Sequence, residues 1–389
     1  MRREILAAAL AAVVMTTGQQ AIAAPAEGAI RNANQPDSVP GSYIVALKDG
    51  PGTSAAGVAA KVGAAVEREY TVALRGFSAK MDENAAKRLA ADPAVDYVEQ
   101  DGYAYTTEGT QKDPTWGLDR VDQPKLPLDK KYKHITEGTN VNAYIVDTGV
   151  HKAHSEFGGR ASDGYDFVDN DAVAQDCNGH GTHVAGTVGG KTYGVAKNVK
   201  LVGVRVLDCR GGGPWSQVIA GIDWVAKNAK KPAVANFSLG GETNTSVDNA
   251  IRRLVKSGVT VGVSAGNLNG DACASSPARV PEALTVGSTD KTDRRSPFSN
   301  HGRCLDLFAP GSDITSASHK GGSLTASGTS MAAPHVVGAA ALHLQNNRED
   351  TPAQVAQALT AVATEGVVQN AGTGSPNKLL CTEFVGGVG

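Results

Sequence analysis

From Trp116 onward, short β-branched runs alternate with helical runs. That alternation narrows the possible folds more than any other feature of the chain. Residues 141–146, 201–207, 234–239 and 259–265 are short, carry β-branched residues and look buried. Between them, residues 183–189, 217–229 and 246–256 carry helical spacing. Strand and helix in turn predict an α/β fold of three layers, with a mainly parallel central sheet covered on both faces. Sites in such sheets lie at the carboxyl ends of the strands, so the residues that follow each strand matter most.

Upstream the pattern changes. Residues 43–47, 77–81 and 95–98 read as strands, and residues 55–66 and 84–91 as helices, the second ended by Asp92-Pro93. This is a small α+β module. Residues 24–108 hold eight basic and twelve acidic side chains, a net charge of −4 within a chain of net −2. Residues 108–114, Glu-Gly-Thr-Gln-Lys-Asp-Pro, form a polar, turn-rich connection and a plausible processing site. Three segments follow: a leader at 1–23, the small module at 24–108 and a large domain at 109–389.

The leader has the form of a secretory signal. Arg2 and Arg3 precede an apolar stretch, residues 5–15, that is too short to span a bilayer, and Ala21-Ile22-Ala23 supplies a cleavage pattern. The expected product is secreted, with no membrane segment after signal removal. Lys and Arg (37) do not outnumber Asp and Glu (39), which argues against a nucleic-acid partner. The five cysteines, Cys177, Cys209, Cys273, Cys304 and Cys381, form no C-x-x-C pair. In an oxidising compartment two disulfides and one spare thiol are expected, with the pairing open.

Four residues follow strands or open helices where chemistry is expected. Asp147 ends a strand in Ile-Val-Asp-Thr-Gly. His180 opens a helix in Asn-Gly-His-Gly-Thr-His. Asn267 follows a strand in Ser-Ala-Gly-Asn. Ser330 opens a small-residue helix in Gly-Thr-Ser-Met-Ala-Ala-Pro. A serine hydroxyl needs an adjacent base, a histidine base needs an orienting carboxylate, and the oxyanion of an acyl transfer needs fixed donors. Other motifs compete. Residues 262–266, Gly-Val-Ser-Ala-Gly, match the nucleophile elbow of an esterase centred on Ser264, although Asn267-Leu268-Asn269-Gly270 breaks the helix that elbow requires. Residues 185–192 nearly match a phosphate loop but follow a helix. His180 and His183 lack a third metal ligand, and His183 reads as a core residue.

Taken in the order Asp, His, Asn, Ser, these blocks resemble the subtilisin-like serine peptidases, most closely the proteinase K and aqualysin branch. The resemblance covers residues 116–380, and the upstream module is similar to the inhibitory propeptide of that family. It implies a serine endopeptidase with Asp147, His180 and Ser330 as the triad and Asn267 in the oxyanion hole. It implies substrate edges at Gly211, Gly212 and Gly213 and at Ser238, Leu239 and Gly240, with Ala265 and Gly266 lining the primary pocket. No charge falls at those positions, so apolar or aromatic side chains before the cut are expected. It implies disulfides Cys177–Cys209 and Cys273–Cys304, with Cys381 free. It implies structural calcium and no catalytic cofactor. One calcium site would use the Pro281 and Ala283 carbonyls with Asp306. A second would use Asp119, Asp122 and Asp129, with Lys131 beside it, and a third Asp166 and Asp171. The partners implied are protein or peptide substrates and the chain's own propeptide, acting as chaperone and inhibitor of a monomeric, self-processing zymogen cut near Glu108. An inactive peptide-binding homologue is the alternative from another class.

Overall fold

The computed structural model describes residues 26–34, 38–50, 53–102 and 109–383. The leader and the expected cut near Glu108 lie outside the described residues. The chain divides into two compact units between Gly102 and Tyr103.

The first unit is a five-stranded sheet in the order β1-β5-β2-β4-β3, with two helices. Its elements are β1 (Ile30–Arg31), β2 (Ser38–Leu47), α1 (Ala55–Ala60), β3 (Ala65–Tyr70), β4 (Gly76–Lys80), α2 (Glu83–Ala90) and β5 (Val95–Gly102). Val45, Phe77, Ala79, Val98 and Leu89 form its buried centre. Each helix opens on a side-chain cap, Ser54 on the Gly57 N–H and Asp82 on the Ala85 N–H. One expectation fails here: the helix expected over 55–66 stops at Ala60, residues 61–64 turn the chain, and Ala65 and Val66 already belong to strand β3. Gly63, at φ +73°, turns the chain. The strand is hard to see in sequence because it is largely solvent-facing, with only Val66 and Tyr70 partly covered.

The second unit begins with a small hairpin, β6 (Thr110–Lys112) and β7 (Lys131–Lys133), around the helix α3 (Trp116–Val121). Then come β8 (Asn142–Asp147), β9 (Ala161–Asp166), α4 (His180–Gly189), β10 (Lys200–Arg205), α5 (Trp215–Asn228), β11 (Ala233–Phe237), β12 (Gly241–Glu242), α6 (Thr245–Lys256) and β13 (Thr260–Ser264). The rest is β14 (Ser275–Ser276), β15 (Leu284–Thr289), β16 (Leu307–Pro310), β17 (Ile314–Ala317), β18 (Ser323–Ala326), α7 (Thr329–Asn346), α8 (Pro352–Val362), β19 (Thr364–Glu365) and β20 (Lys378–Leu379). The main sheet has nine strands in the order β19-β20-β16-β15-β13-β11-β8-β10-β9. Every pairing in it is parallel except β19 with β20.

Alternation along β8 shows why the sheet needs two covers. Ala143 and Ile145 pack with α4 and α7 on one face, whereas Tyr144 and Val146 pack with α5 and α6 on the other. The helix α7 is buried along nearly its whole length and made of small residues, so it runs through the core rather than over it. Gly262 of β13 lets it come close, since a Cβ there would stand 2.5 Å from a Val337 methyl. Truncating Ile145 or Val337 to alanine belongs with core deletions that cost about 1–5 kcal/mol.

The chain winds outward from β8 in both directions: β10 and β9 lie to one side, and β11, β13 and β15 to the other. That reversal leaves a crevice at the carboxyl end of β8. Asp147 is the last residue of β8.

Candidate active site

Asp147 is fully buried. Its Oδ1 accepts from the Thr148 N–H at 2.7 Å and lies 2.7 Å from His180 Nδ1. Its Oδ2 is buried without a hydrogen-bond partner. The pairing fixes which imidazole nitrogen carries the proton: Nδ1–H faces the carboxylate, and Nε2 is left as the base. Burial works against charge on His180. The charge and hydrogen bond of Asp147, with Asp176 behind it, outweigh that effect and raise its pKa above the usual histidine value.

The helix start that holds His180 is organised by Asp176, a residue that sequence reading passed over. Asp176 is buried, and its Oδ1 accepts from Thr148 Oγ1 (2.9 Å), Asn178 N–H (2.9 Å) and Gly179 N–H (2.8 Å). Its Oδ2 accepts from the Thr182 N–H (3.0 Å) and the Thr182 hydroxyl. Thr148 Oγ1 accepts in turn from the Gly181 N–H at 2.9 Å, which ties the end of β8 to the first turn of α4. The available signal was Asp176 placed two and three residues before Asn178-Gly179, the spacing of a side-chain turn at a helix start.

Ser330 lies in the first turn of α7, where backbone N–H groups lack intrahelical partners and the helix dipole favours negative charge. Pro334 has no N–H to offer the Ser330 carbonyl four residues earlier. The Ser238 hydroxyl fills that place, donating to Ser330 O at 2.8 Å. The Ser330 hydroxyl donates to Ser238 O at 3.2 Å, so in this state it faces the 238–240 wall rather than His180. Both His180 and Ser330 line one cleft of about 880 Å³.

Asn267 borders the same cleft. Its Oδ1 accepts from the Thr329 N–H and the Thr329 hydroxyl, both at 2.9 Å. An amide whose oxygen is held twice presents its NH₂ group elsewhere. A Cβ at Gly328 would stand 3.6 Å from the Ser330 nitrogen and 3.7 Å from Asn267 Nδ2. Both nitrogens therefore border the space beside a glycine. The loop behind them is pinned by Asn300, which accepts from the Leu268 and Gly270 N–H groups and donates to Ala265 O.

Gly211, Gly212, Gly213, Ser238, Leu239, Gly240 and Gly266 all border the cleft. Ala265 does not: it is fully buried behind the wall. Trp215, which continues the expected glycine edge, borders it too, as do Arg210 and Glu242, which were not anticipated. Ser264 reaches the cleft from the end of β13, yet a turn-rich stretch follows it instead of the helix an esterase elbow needs. The phosphate-loop near-match lies mostly within α4. His183 is buried, with Nε2 at 3.0 and 3.1 Å from the Ile314 and Leu324 carbonyls, and burial depresses its pKa to about 4.

Two disulfides are present, Cys177–Cys209 and Cys273–Cys304, and Cys381 is a buried free thiol. Each bridge closes a loop of 31 or 32 residues, worth roughly 3–4 kcal/mol in the chain-entropy model.

Among the described residues no three His, Cys, Asp or Glu side chains gather as a metal cluster. Two carboxyls nonetheless suit a hard cation that takes carbonyl and carboxylate oxygens. Asp306 receives the Thr285 N–H at 2.7 Å, and burial pushes its pKa up to about 6. Asp122 Oδ1 is buried without a partner, and burial pushes that carboxyl up to about 7. Its expected companions are less open. Asp119 accepts from the Asp129 and Lys130 N–H groups, and Asp129 pairs with Lys133 at 3.2 Å. At the third expected site, Arg205 already neutralises Asp166, with Nη1 2.6 Å from its Oδ2.

Comparison with known proteins agrees with this architecture. The model of the subtilase family matches residues 138–378, and that of the peptidase inhibitor I9 family matches residues 42–107. The chain is 51% identical over 374 residues to an extracellular serine proteinase of Thermus sp. (strain Rt41A), covering 90% of this chain and 91% of that protein. It is 55% identical over 320 residues to alkaline serine exoprotease A of Vibrio alginolyticus, covering 81% of this chain and 60% of that longer protein. The chain thus spans about three fifths of the Vibrio relative. A crystal structure of a cold-adapted subtilisin-like serine proteinase matches with a TM-score of 0.69 and 57% identity, covering 70% of this chain and 99% of that one. The chain therefore belongs to the subtilase family of serine peptidases, with an inhibitor I9 module ahead of the peptidase domain.

Proposed function

We propose that the chain is a secreted endopeptidase in which Asp147, His180 and Ser330 act as nucleophilic triad and Asn267 as oxyanion donor. The observation that carries this reading is the bond between Asp147 and His180 Nδ1, in a cleft shared with Ser330 and Asn267. Rotation of the Ser330 side chain away from the Ser238 carbonyl brings its hydroxyl toward His180 Nε2. Apo geometries of this kind tighten when substrate binds. Oγ then attacks the peptide carbonyl carbon as Nε2 takes its proton. The oxyanion receives hydrogen bonds from Asn267 Nδ2–H and Ser330 N–H. Collapse breaks the C–N bond, and His180 returns the proton to the leaving amine. Water, deprotonated by the same nitrogen, releases the acyl group from Ser330.

The substrate is an extended peptide that adds a strand between residues 211–213 and 238–240. Apolar or aromatic side chains are accepted before the cut, beside Gly266. The I9 module is the intramolecular inhibitor and folding aid of a zymogen that cuts itself near Glu108. Calcium has a structural part, held by Asp306 with the Pro281 and Ala283 carbonyls, and no cofactor takes part in the chemistry. Purified wild-type and Ser330→Ala precursors test this reading. The wild type is expected to mature and to hydrolyse casein. The variant is expected to remain a full-length, inactive precursor, and processing of the purified variant would contradict the proposal.

A further inference from the structure

Strand β11 holds one residue that core packing does not account for. Ala233, Val234, Ala235 and Phe237 are apolar and buried, as a strand covered on both faces requires. Asn236 stands among them, fully buried, paired with Ile145 of β8 on one side and Gly262 of β13 on the other. Its Oδ1 is buried without a hydrogen-bond partner, a penalty that a leucine would not carry. Its Nδ2 donates to the Ser238 hydroxyl at 2.8 Å.

That bond decides where the Ser238 proton goes. A hydroxyl has one proton to give and accepts through its lone pairs. With Asn236 donating to it, Ser238 Oγ–H is turned to the Ser330 carbonyl oxygen, 2.8 Å away. This is the acceptor that Pro334, four residues along α7, leaves open for want of an N–H. The Ser330 carbonyl is joined to the same Cα as the nucleophilic side chain and the Ser330 N–H, so holding it sets the direction of both. We infer that Ser238, oriented by Asn236, is a positioning residue for the nucleophile. Its side chain replaces the missing backbone donor and fixes the first turn of α7 in the geometry that attack requires. This role is separate from the strand pairing assigned above to residues 238–240. The inference rests on the peptidase reading and adds to it a reason for a costly buried amide.

The test compares mature wild type, Ser238→Ala, Pro334→Ala and the double variant on one fluorogenic peptide with an apolar residue before the cut. For Ser238→Ala, kcat should fall about ten- to a hundredfold, the scale of a 1 Å misplacement of a reacting group. KM should stay within about twofold, because the backbone that pairs with substrate is unchanged. Pro334→Ala supplies an N–H at the open place, so in that background Ser238→Ala should cost no more than about threefold. A wild-type kcat in Ser238→Ala, an effect on KM alone, or an equal loss in both backgrounds overturns the inference. Should either variant fail to fold, Asn236→Leu decides. It removes both the donor and the orphaned oxygen, so kcat should fall severalfold while the urea midpoint, read in the Ser330→Ala background, holds or rises. An unchanged kcat, or a loss that comes with a lower midpoint, overturns the inference by that route. A wild-type enzyme that cuts no peptide overturns the peptidase reading, and the inference with it.

Discussion

Asp176→Asn tests whether the loop before α4, and not the Asp147 contact alone, sets the state of the base. In the wild type, three donors reach Oδ1 and two, both from Thr182, reach Oδ2. An asparagine does best by placing its oxygen at the Oδ1 position. Its NH₂ group then faces the Thr182 N–H, which loses its acceptor. The Thr182 hydroxyl can turn to accept, but the amide cannot. One orphaned buried N–H costs about 1–3 kcal/mol, and the three remaining bonds lose their charge assistance. A total loss of roughly 2–4 kcal/mol follows, measurable as a lower urea midpoint for Asp176→Asn in the Ser330→Ala background, where self-digestion is absent. The kinetic sign also follows. Asp176 helps raise the His180 pKa, and the base works only when deprotonated. Removing that charge moves the acidic limb of the kcat/KM profile toward lower pH. An Asp176→Asn enzyme with wild-type stability and an unmoved acidic limb would refute the reasoning.

Three further outcomes are expected. Gly328→Ala places a methyl 3.6 and 3.7 Å from the two oxyanion donors, so kcat should fall at least tenfold with little loss of folding stability, checked by active-site titration and urea melts. His183 and His335 are buried with pKa values depressed to about 4, so the unfolded chain binds more protons than the folded one between about pH 6.5 and 4. Stability should fall as pH drops through that window, and His335→Gln should flatten the slope in pH-dependent urea melts. Calcium chelation should lower the thermal midpoint of the wild type, and Asp306→Ala should lose most of that response in a differential scanning fluorimetry comparison with and without EDTA.

Much of the large domain was legible because its pattern is redundant. The strands β8, β10, β11 and β13 are short, mostly apolar runs with helices between them, and Asp147 and His180 stand at their junctions. Residues that act through geometry were harder to see. Asp176 reads as one more turn aspartate until Thr182, six positions away, comes back to it. Thr329 reads as a helix opener, although its two donors decide which way the Asn267 amide faces. Ala265 was expected at the cleft because it adjoins Gly266, but at the end of a strand successive residues face opposite ways, and it points into the core. The acidic positions misled in a different way. A string of aspartates gives no sign of which ones a neighbour has already neutralised, as Arg205 does for Asp166.

Reaction of the mature enzyme with a phosphonylating serine reagent, followed by peptide mass mapping, tests the central claim most directly. One adduct per chain is expected, on Ser330, forming far more slowly in His180→Ala and not at all in Ser330→Ala. An adduct on Ser264, or wild-type labelling of Ser330 in the absence of the His180 imidazole, would contradict it.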